Sequence, residues 1–159
     1  MPLTGKIALV TGGGTGIGRA ITLALAAQGA AVAVVYRTSE AAAEEVVAQI
    51  IAGGGRASAL RGDVTKSEQV DSLVARVLAD WGALDIVVNN AGLTRDSLLL
   101  RMSEADWDAV LDTNLKGAFL MTRAALKPML KQKRGKIVNI TSVIGLIASP
   151  GQANYAAAK

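Results

Sequence analysis

The stretch that decides the fold is Thr11-Gly12-Gly13-Gly14-Thr15-Gly16-Ile17-Gly18. An apolar run at 6–10 precedes it and predicts a strand, and a helical pattern at 16–28 follows it and stops before Gly29. A glycine-rich turn between a strand and a helix lets the backbone approach a pyrophosphate, which the free N–H groups of the helix start bind. We therefore predict a dinucleotide-phosphate site here, although the spacing Gly-x-x-x-Gly-x-Gly is one residue wider than the commonest fingerprint.

Strands and helices alternate over the rest of the chain. Short β-branched runs predict four further strands, at 31–35, 57–61, 84–88 and 136–140. Helical patterns are found at 40–52, 65–80 and 114–131, with a capping box at Thr65–Glu68 and another cap at Ser103–Asp106. Near-continuous Val, Ile and Leu strands suit a parallel sheet buried on both faces. We predict one α/β domain over residues 1–159, with a doubly wound, Rossmann-like, mostly parallel sheet and helices on both faces.

Composition limits the chemistry of this 159-residue chain. Cys and His are both absent, which excludes disulfides, Ser-His-Asp catalysis and most transition-metal sites, so we predict no metal. The remaining proton carriers are Tyr, Lys, Asp and Glu. No apolar run approaches the roughly 18 residues of a membrane helix, and the start lacks the apolar core of a signal peptide, so we expect a cytoplasmic protein without a membrane partner. The net charge of +4 suits an anionic cofactor or an acidic partner, and the shortage of stacking aromatics argues against nucleic acid.

Tyr155 and Lys159 are the most informative pair of side chains. In a helix their spacing places the phenol and the ammonium one turn apart on one face. The cation favours the phenolate form, so Tyr155 is a candidate general acid or base. The alternative is an exposed helix pair with no chemistry.

The end of the second strand addresses the choice of cofactor. A site specific for NAD places an acid there for the ribose 2′-hydroxyl, whereas this chain has Val34-Val35-Tyr36-Arg37. Arg37 can pair with a 2′-phosphate, so we predict NADP(H). An ordinary exposed loop arginine is the alternative interpretation.

Several segments together resemble the short-chain dehydrogenase/reductase family. They are Thr11–Gly18, Asn89-Asn90-Ala91-Gly92, Asn114, Ser142 and Tyr155-x-x-x-Lys159, in the expected order from Lys6 to Lys159. The stretches 94–102 and 150–155 are similar to the branch of the family that reduces 3-oxoacyl groups carried on acyl carrier protein in fatty-acid synthesis.

The resemblance implies a set of cofactor residues. The glycine loop would hold the phosphates, Asp63 before Val64 would accept from the adenine amino group, and 90–92 would line the nicotinamide ribose. The full set is Gly12, Gly14, Thr15, Gly16, Ile17, Gly18, Arg37, Asp63, Val64, Asn90, Ala91, Gly92, Tyr155 and Lys159. Asp63 could instead begin a turn, and Asn90 could tie neighbouring strands together.

The resemblance also implies the catalytic roles. A hydride from NADPH would reach a ketone carbon while Tyr155 donates a proton to the oxygen and Ser142 hydrogen-bonds it. Lys159 would assist Tyr155 and hold the ribose hydroxyls, and Asn114 would anchor a proton-relaying water. Other substrates in the same family, such as a small ketone, sugar or steroid, stay open. So does a non-catalytic nucleotide-binding fragment.

Two departures from the family pattern bear on these expectations. Many carrier-protein reductases have Ser-Arg where this loop has Gly14-Thr15, which leaves Arg37 as the main candidate for the 2′-phosphate. Family members also continue past Lys159 with two more strands and much of the contact surface of a homo-oligomer, a tetramer at full length. We expect that a chain ending at Lys159 exposes the strand 137–140, self-associates and turns over poorly.

A basic cluster surrounds the end of the last long helix, and the family resemblance implies that it docks an acidic carrier protein. The alternative is a solvated face that benefits from the helix dipole. Its members are Lys127, Lys131, Lys133, Arg134 and Lys136.

Overall fold

The computed structural model describes residues 1–147 and 149–159. Its centre is a five-stranded sheet in the order β3-β2-β1-β4-β5, and all four strand pairings are parallel. The strands are β1 (Ile7–Thr11), β2 (Ala31–Tyr36), β3 (Arg56–Arg61), β4 (Ile86–Asn89) and β5 (Lys136–Asn139). This arrangement confirms the predicted doubly wound α/β fold, and each strand lies within two residues of its predicted bounds.

The described residues include six α-helices. They are α1 (Gly16–Ala27), α2 (Glu40–Ala52), α3 (Ser67–Trp81), α4 (Glu104–Leu111), α5 (Gly117–Lys131) and α6 (Ala153–Ala158). Short 3₁₀ turns lie at Leu99–Arg101 and Val143–Gly145. Within the described residues, no helix has the length and apolarity needed to cross a bilayer.

Every residue of β1 and β2 is buried, so both faces of the sheet need cover. On one face, Leu9 and Ala33 pack in a cluster with apolar residues of α3 and α5. On the other face, Val10 packs with α1 and Val34 with α2. Alternate strand residues point to opposite faces, which is why uninterrupted apolar runs produce two separate helix layers.

The predicted capping box at Thr65–Glu68 is wrong. Helix α3 begins at Ser67, its N-cap is Lys66, and no side chain caps it. The Thr65 hydroxyl instead donates to the Asp63 carboxylate, 2.8 Å away, because that acceptor lies in the adjoining turn. The other predicted cap is present, since Ser103 Oγ accepts from the Asp106 N–H at 3.1 Å.

The helix predicted at 114–131 begins earlier than expected. Helix α4 continues into a π-helical segment, Asp112–Lys116, and then into α5 without leaving helical backbone. Asn114 therefore lies in a wide turn inside a long helical segment rather than at a helix start. π-Bulges of this kind are frequent at functional sites because they displace one residue from the regular ladder.

The strand order reverses direction between β1 and β4. Crossovers from β1 place β2 and β3 on one side of it, and later crossovers place β4 and β5 on the other. The connections that leave the carboxyl ends of β1 and β4 therefore diverge and open a crevice between them. Open α/β sheets bind ligands at this switch point.

Candidate functional site

The glycine loop leaves β1 at the switch point. Gly12 has φ 64°, a left-handed backbone that favours glycine. A Cβ on Gly18 would collide with the Gly12 carbonyl, so only glycine lets the first turn of α1 pack against the loop. The N-cap of α1, Thr15, makes no side-chain capping bond, and the first turn carries no acid. Unpaired N–H groups and a positive dipole end are what a phosphate requires.

Thr11 and Asn90 hold the loop against β4. Thr11 Oγ1 accepts from the N–H groups of Asn90 (3.0 Å) and Ala91 (2.9 Å), and it donates to the Val88 carbonyl at 3.3 Å. The Asn90 amide donates to the carbonyls of Thr11 (2.9 Å) and Gly12 (3.2 Å). Asn90 therefore makes the strand-tying contacts foreseen as its alternative role. Thr11 lay in the quoted motif but was not predicted as a site residue.

A cleft of about 190 Å³ opens between the loop, the end of β2 and the segment after β4. Predicted cofactor residues in its wall are Gly12, Gly14, Thr15, Arg37, Asp63, Val64, Ala91 and Gly92. Residues that sequence reasoning missed also line it, among them Thr38, Ser39, Leu93 and Thr113. The predicted residues Gly16, Ile17 and Gly18 form the first turn of α1. The cleft therefore gathers residues that follow four strands, β1 to β4, into one wall.

Arg37 and Asp63 are neighbours in the wall of this cleft. Arg37 Nη1 lies 3.9 Å from Asp63 Oδ2, and the arginine side chain is 54% exposed. Partial burial opposes ionisation of Asp63. The two hydrogen bonds from Thr65 and the charges of Arg37 and Lys66 outweigh it and hold the pKa of Asp63 below its ordinary value. Asp63 is thus an ionised acceptor, and it also begins the turn foreseen as its alternative role.

Tyr155 and Lys159 both belong to the last helical turn, α6 and its C-cap. Lys159 Nζ lies 5.8 Å from the centroid of the Tyr155 ring and donates to the Ile140 carbonyl at 2.7 Å. Burial lowers the pKa of the Lys159 ammonium, since desolvation disfavours the charged form. The predicted one-turn pairing is therefore present, with the ammonium anchored on the carboxyl end of β5.

Asn154 is a buried residue of the site that sequence reasoning missed. Its Oδ1 accepts from the Tyr155 N–H at 2.8 Å, and its amide donates to the carbonyls of Arg95 (3.0 Å) and Asp106 (3.4 Å). The Ser97 N–H also donates to the Gly151 carbonyl, at 2.8 Å. The segment that carries Tyr155 is therefore fixed to the loop after β4. The only sequence signal was its place inside the stretch 150–155.

Asn114 and Lys159 both lie next to Gly92. The Asn114 amide donates to the carbonyls of Leu93 (2.8 Å) and Val110 (2.9 Å), but its buried Oδ1 has no partner among the described residues. A Cβ on Gly92 would collide with that oxygen and would lie 3.7 Å from Lys159 Nζ. A buried acceptor beside an ammonium fits a donor from outside the chain, such as a water or a ribose hydroxyl.

Ser142 follows β5 at the same edge of the sheet. Its Oγ accepts from the Ile144 N–H at 3.3 Å and caps the short turn Val143–Gly145. The hydroxyl keeps its own proton free for another acceptor. Its catalytic role stays a prediction.

This geometry is that of a nucleotide-binding α/β domain. A family model described as short chain dehydrogenase matches residues 6–159. The chain therefore belongs to the short-chain dehydrogenase family.

Curated relatives are similar to this chain over almost its whole length. A 3-oxoacyl-[acyl-carrier-protein] reductase of Synechocystis is 55% identical over 157 residues, 99% of this chain and 64% of the relative. Relatives of the same name from Staphylococcus aureus and Staphylococcus epidermidis are 49% and 47% identical over 154 residues, 97% of this chain and 63% of each relative. The chain thus spans somewhat less than two thirds of the length of these relatives.

Proposed function

We propose that the protein reduces a 3-oxoacyl thioester, carried on an acidic acyl carrier protein, to the 3-hydroxyacyl form with NADPH. The observation that carries the proposal is that Lys159 Nζ and the unpartnered Asn114 oxygen both lie next to Gly92, in the segment that lines the cleft with the phosphate loop. The reaction class is supported by the family, and the substrate by the names of the relatives.

The residues present fit a nicotinamide dinucleotide. The first turn of α1 would bind the pyrophosphate, Asp63 the adenine side and Gly92 the nicotinamide ribose, with Lys159 on the ribose hydroxyls. The bound cofactor supplies a hydride to the ketone carbon. A larger side chain at position 92 would fill the space next to the unpartnered Asn114 oxygen.

The chain's own contribution is to the proton and the oxyanion. As the ketone carbon gains hydride, charge develops on its oxygen, and Tyr155 donates its phenolic proton there. Ser142 donates a hydrogen bond to the same oxygen, and the Lys159 ammonium stabilises the phenolate that remains. Asn154 fixes the backbone of Tyr155, so the phenol is presented from a rigid segment.

Replacing Tyr155 by Phe tests the proton donor. We expect Tyr155→Phe to abolish reduction of an acetoacetyl thioester while the dissociation constant for NADPH, measured by fluorescence titration, stays near normal. The phenol is needed only where the proton moves, so binding does not depend on it. A near-normal rate in Tyr155→Phe would refute this role. Reduction of a small ketone, sugar or steroid with no reduction of the thioester would replace the proposed substrate.

NADPH preference rests on Arg37 and the hydroxyls beside it. Arg37, Thr38 and Ser39 line the cleft consecutively, and Ser39 makes no side-chain capping bond to α2. Arg37→Ala should weaken NADPH binding by about 1.5–3 kcal/mol and leave NADH binding unchanged, since only NADPH carries the 2′-phosphate. Arg76→Ala, which removes an exposed arginine paired with Asp80 on α3, is the matched control. An equal loss for both cofactors would contradict the assignment.

A further inference from the structure

The carboxyl ends of β4 and β5 are joined by a side-chain cluster that the proposed chemistry does not use. The Asn89 amide donates to Asn139 Oδ1 at 2.8 Å and to Thr122 Oγ1 at 3.2 Å. Asn89 and Asn139 form the last register pair of the two strands, and Thr122 belongs to α5. The cluster therefore connects α5, β4 and β5 at the carboxyl ends of the strands, where the site lies.

The residue after Asn139, Ile140, carries the carbonyl that accepts from Lys159. The Ile140 N–H donates to the Asn89 carbonyl at 2.9 Å, and the Ile140 carbonyl accepts from Lys159 Nζ at 2.7 Å. Asn89 thus contacts β5 twice, once through its side chain on Asn139 and once through its backbone on Ile140. Any shift of the end of β5 would move the carbonyl that anchors the ammonium.

Within the described residues, the end of β5 is held by its pairing with β4 and by these contacts of Asn89. The strand has four residues, it lies at the edge of the described sheet, and Lys136, Val138 and Asn139 are exposed. Asparagine is disfavoured in strands, where β-branched residues are common. Because Asn139 is exposed, packing does not explain why an asparagine is found at this position. Its hydrogen bond to Asn89 does.

We infer that Asn139 is a positioning residue for Lys159, acting through the Ile140 carbonyl; this rests on the proposed function, in which Lys159 holds the cofactor ribose. Removing the Asn139 acceptor frees the end of β5 and moves the Ile140 carbonyl. The Lys159 ammonium then loses its anchor next to Gly92 and holds the ribose less well.

A double-mutant cycle on NADPH affinity tests the inference. Asn139→Leu, close in size but unable to accept, should weaken NADPH binding about fivefold. In a Lys159→Met background the same substitution should change the affinity less than twofold, because the side chain through which it acts is gone. A residue that only supports the fold would lower the affinity by the same factor in both backgrounds.

Two further variants keep the result unambiguous. Asn139→Asp retains an oxygen that accepts from Asn89 and should restore affinity to within twofold of the unmodified protein. Val138→Thr changes the neighbouring edge position, whose side chain is 45% exposed in this strand, and should leave affinity unchanged. Equal loss in both Lys159 backgrounds, or no loss in Asn139→Leu, overturns the inference while the proposed function stands. Failure of the unmodified protein to bind NADPH overturns both.

Discussion

At the scale of single residues, the sequence predicted a pair of site residues that are near each other in the chain and missed two residues whose hydrogen-bond partners are far away. Tyr155 and Lys159 are four positions apart, so helical spacing was enough to pair them. Asn154 contacts a carbonyl 59 positions away and Thr11 an N–H 80 positions away. Such contacts depend on which strand ends the topology brings together, and periodicity carries no information about that. Residue type alone therefore left Asn154 and Thr11 unassigned.

Asp63 gives a prediction about pH. Its pKa in the folded protein lies below the ordinary 3.8, so its ionised form stabilises the fold above that pH. This stabilisation is lost as pH falls through the folded pKa, where the carboxylate is protonated. Asp63→Asn should therefore lower the melting temperature at pH 7 and have a smaller effect below pH 3.8. Asp71→Asn, an exposed carboxylate on α3, is the control for thermal melts at both pH values.

At the scale of elements, periodicity located the strands and most helices, while local competition set their ends. Thr65 and Ser103 carry similar capping signals, yet only Ser103 caps a helix. Thr65 has a carboxylate two positions earlier and bonds to it instead. The π-helical segment around Asn114 was not predicted because a single widened turn leaves the apolar pattern of a helix intact.

Asp85, directly before β4, gives a prediction about stability. Asp85 is 5% exposed, accepts from the Ile7 N–H at 3.1 Å and pairs with Arg134 Nε at 2.7 Å. Asp85→Ala leaves the buried N–H without a partner and should lower the free energy of unfolding by about 1–3 kcal/mol. Asp80→Ala, which removes an exposed pair with Arg76, should cost about 0.5 kcal/mol or less in the same urea titration. Equal losses for the two variants would show that the burial of Asp85 adds nothing to the free energy of unfolding.

At the scale of the whole molecule, one helix face is unusually apolar. Exposed apolar side chains recur at positions that share a face along the π turn and α5: Leu115, Phe119, Leu126 and Leu130. Exposed apolar stripes of this kind mark interaction surfaces. The stripe supports a proposed homo-oligomer, and light scattering would measure that state. The sequence predicted association from family resemblance, but only the structure shows which apolar side chains of the predicted helix 114–131 stay exposed.

The basic cluster around the end of α5 lies far from the candidate site. All strands run parallel, and the glycine loop follows the carboxyl end of β1. Lys136 is the first residue of β5, so it lies at the amino ends of the strands, on the opposite side of the sheet from the loop. At about 3.3 Å per residue, the four-residue strand separates the cluster from the site by more than 10 Å. Arg134 is also committed to Asp85. The cluster would therefore attract an acidic carrier protein at long range rather than touch its acyl group.

Charge reversal tests that attraction. Lys127→Glu with Lys131→Glu, which spares Arg134, should raise KM severalfold for a carrier-bound thioester at low salt, because association depends on opposite charges. The rise should vanish near 0.5 M salt, where charges are screened within a few ångströms. KM for an uncharged free thioester should not change. Arg56→Glu with Arg76→Glu alters the net charge equally away from the cluster and should have a smaller effect. An equal rise for both substrates would mean that the substitutions disturb the site, and no rise would leave the cluster as a solvated helix end.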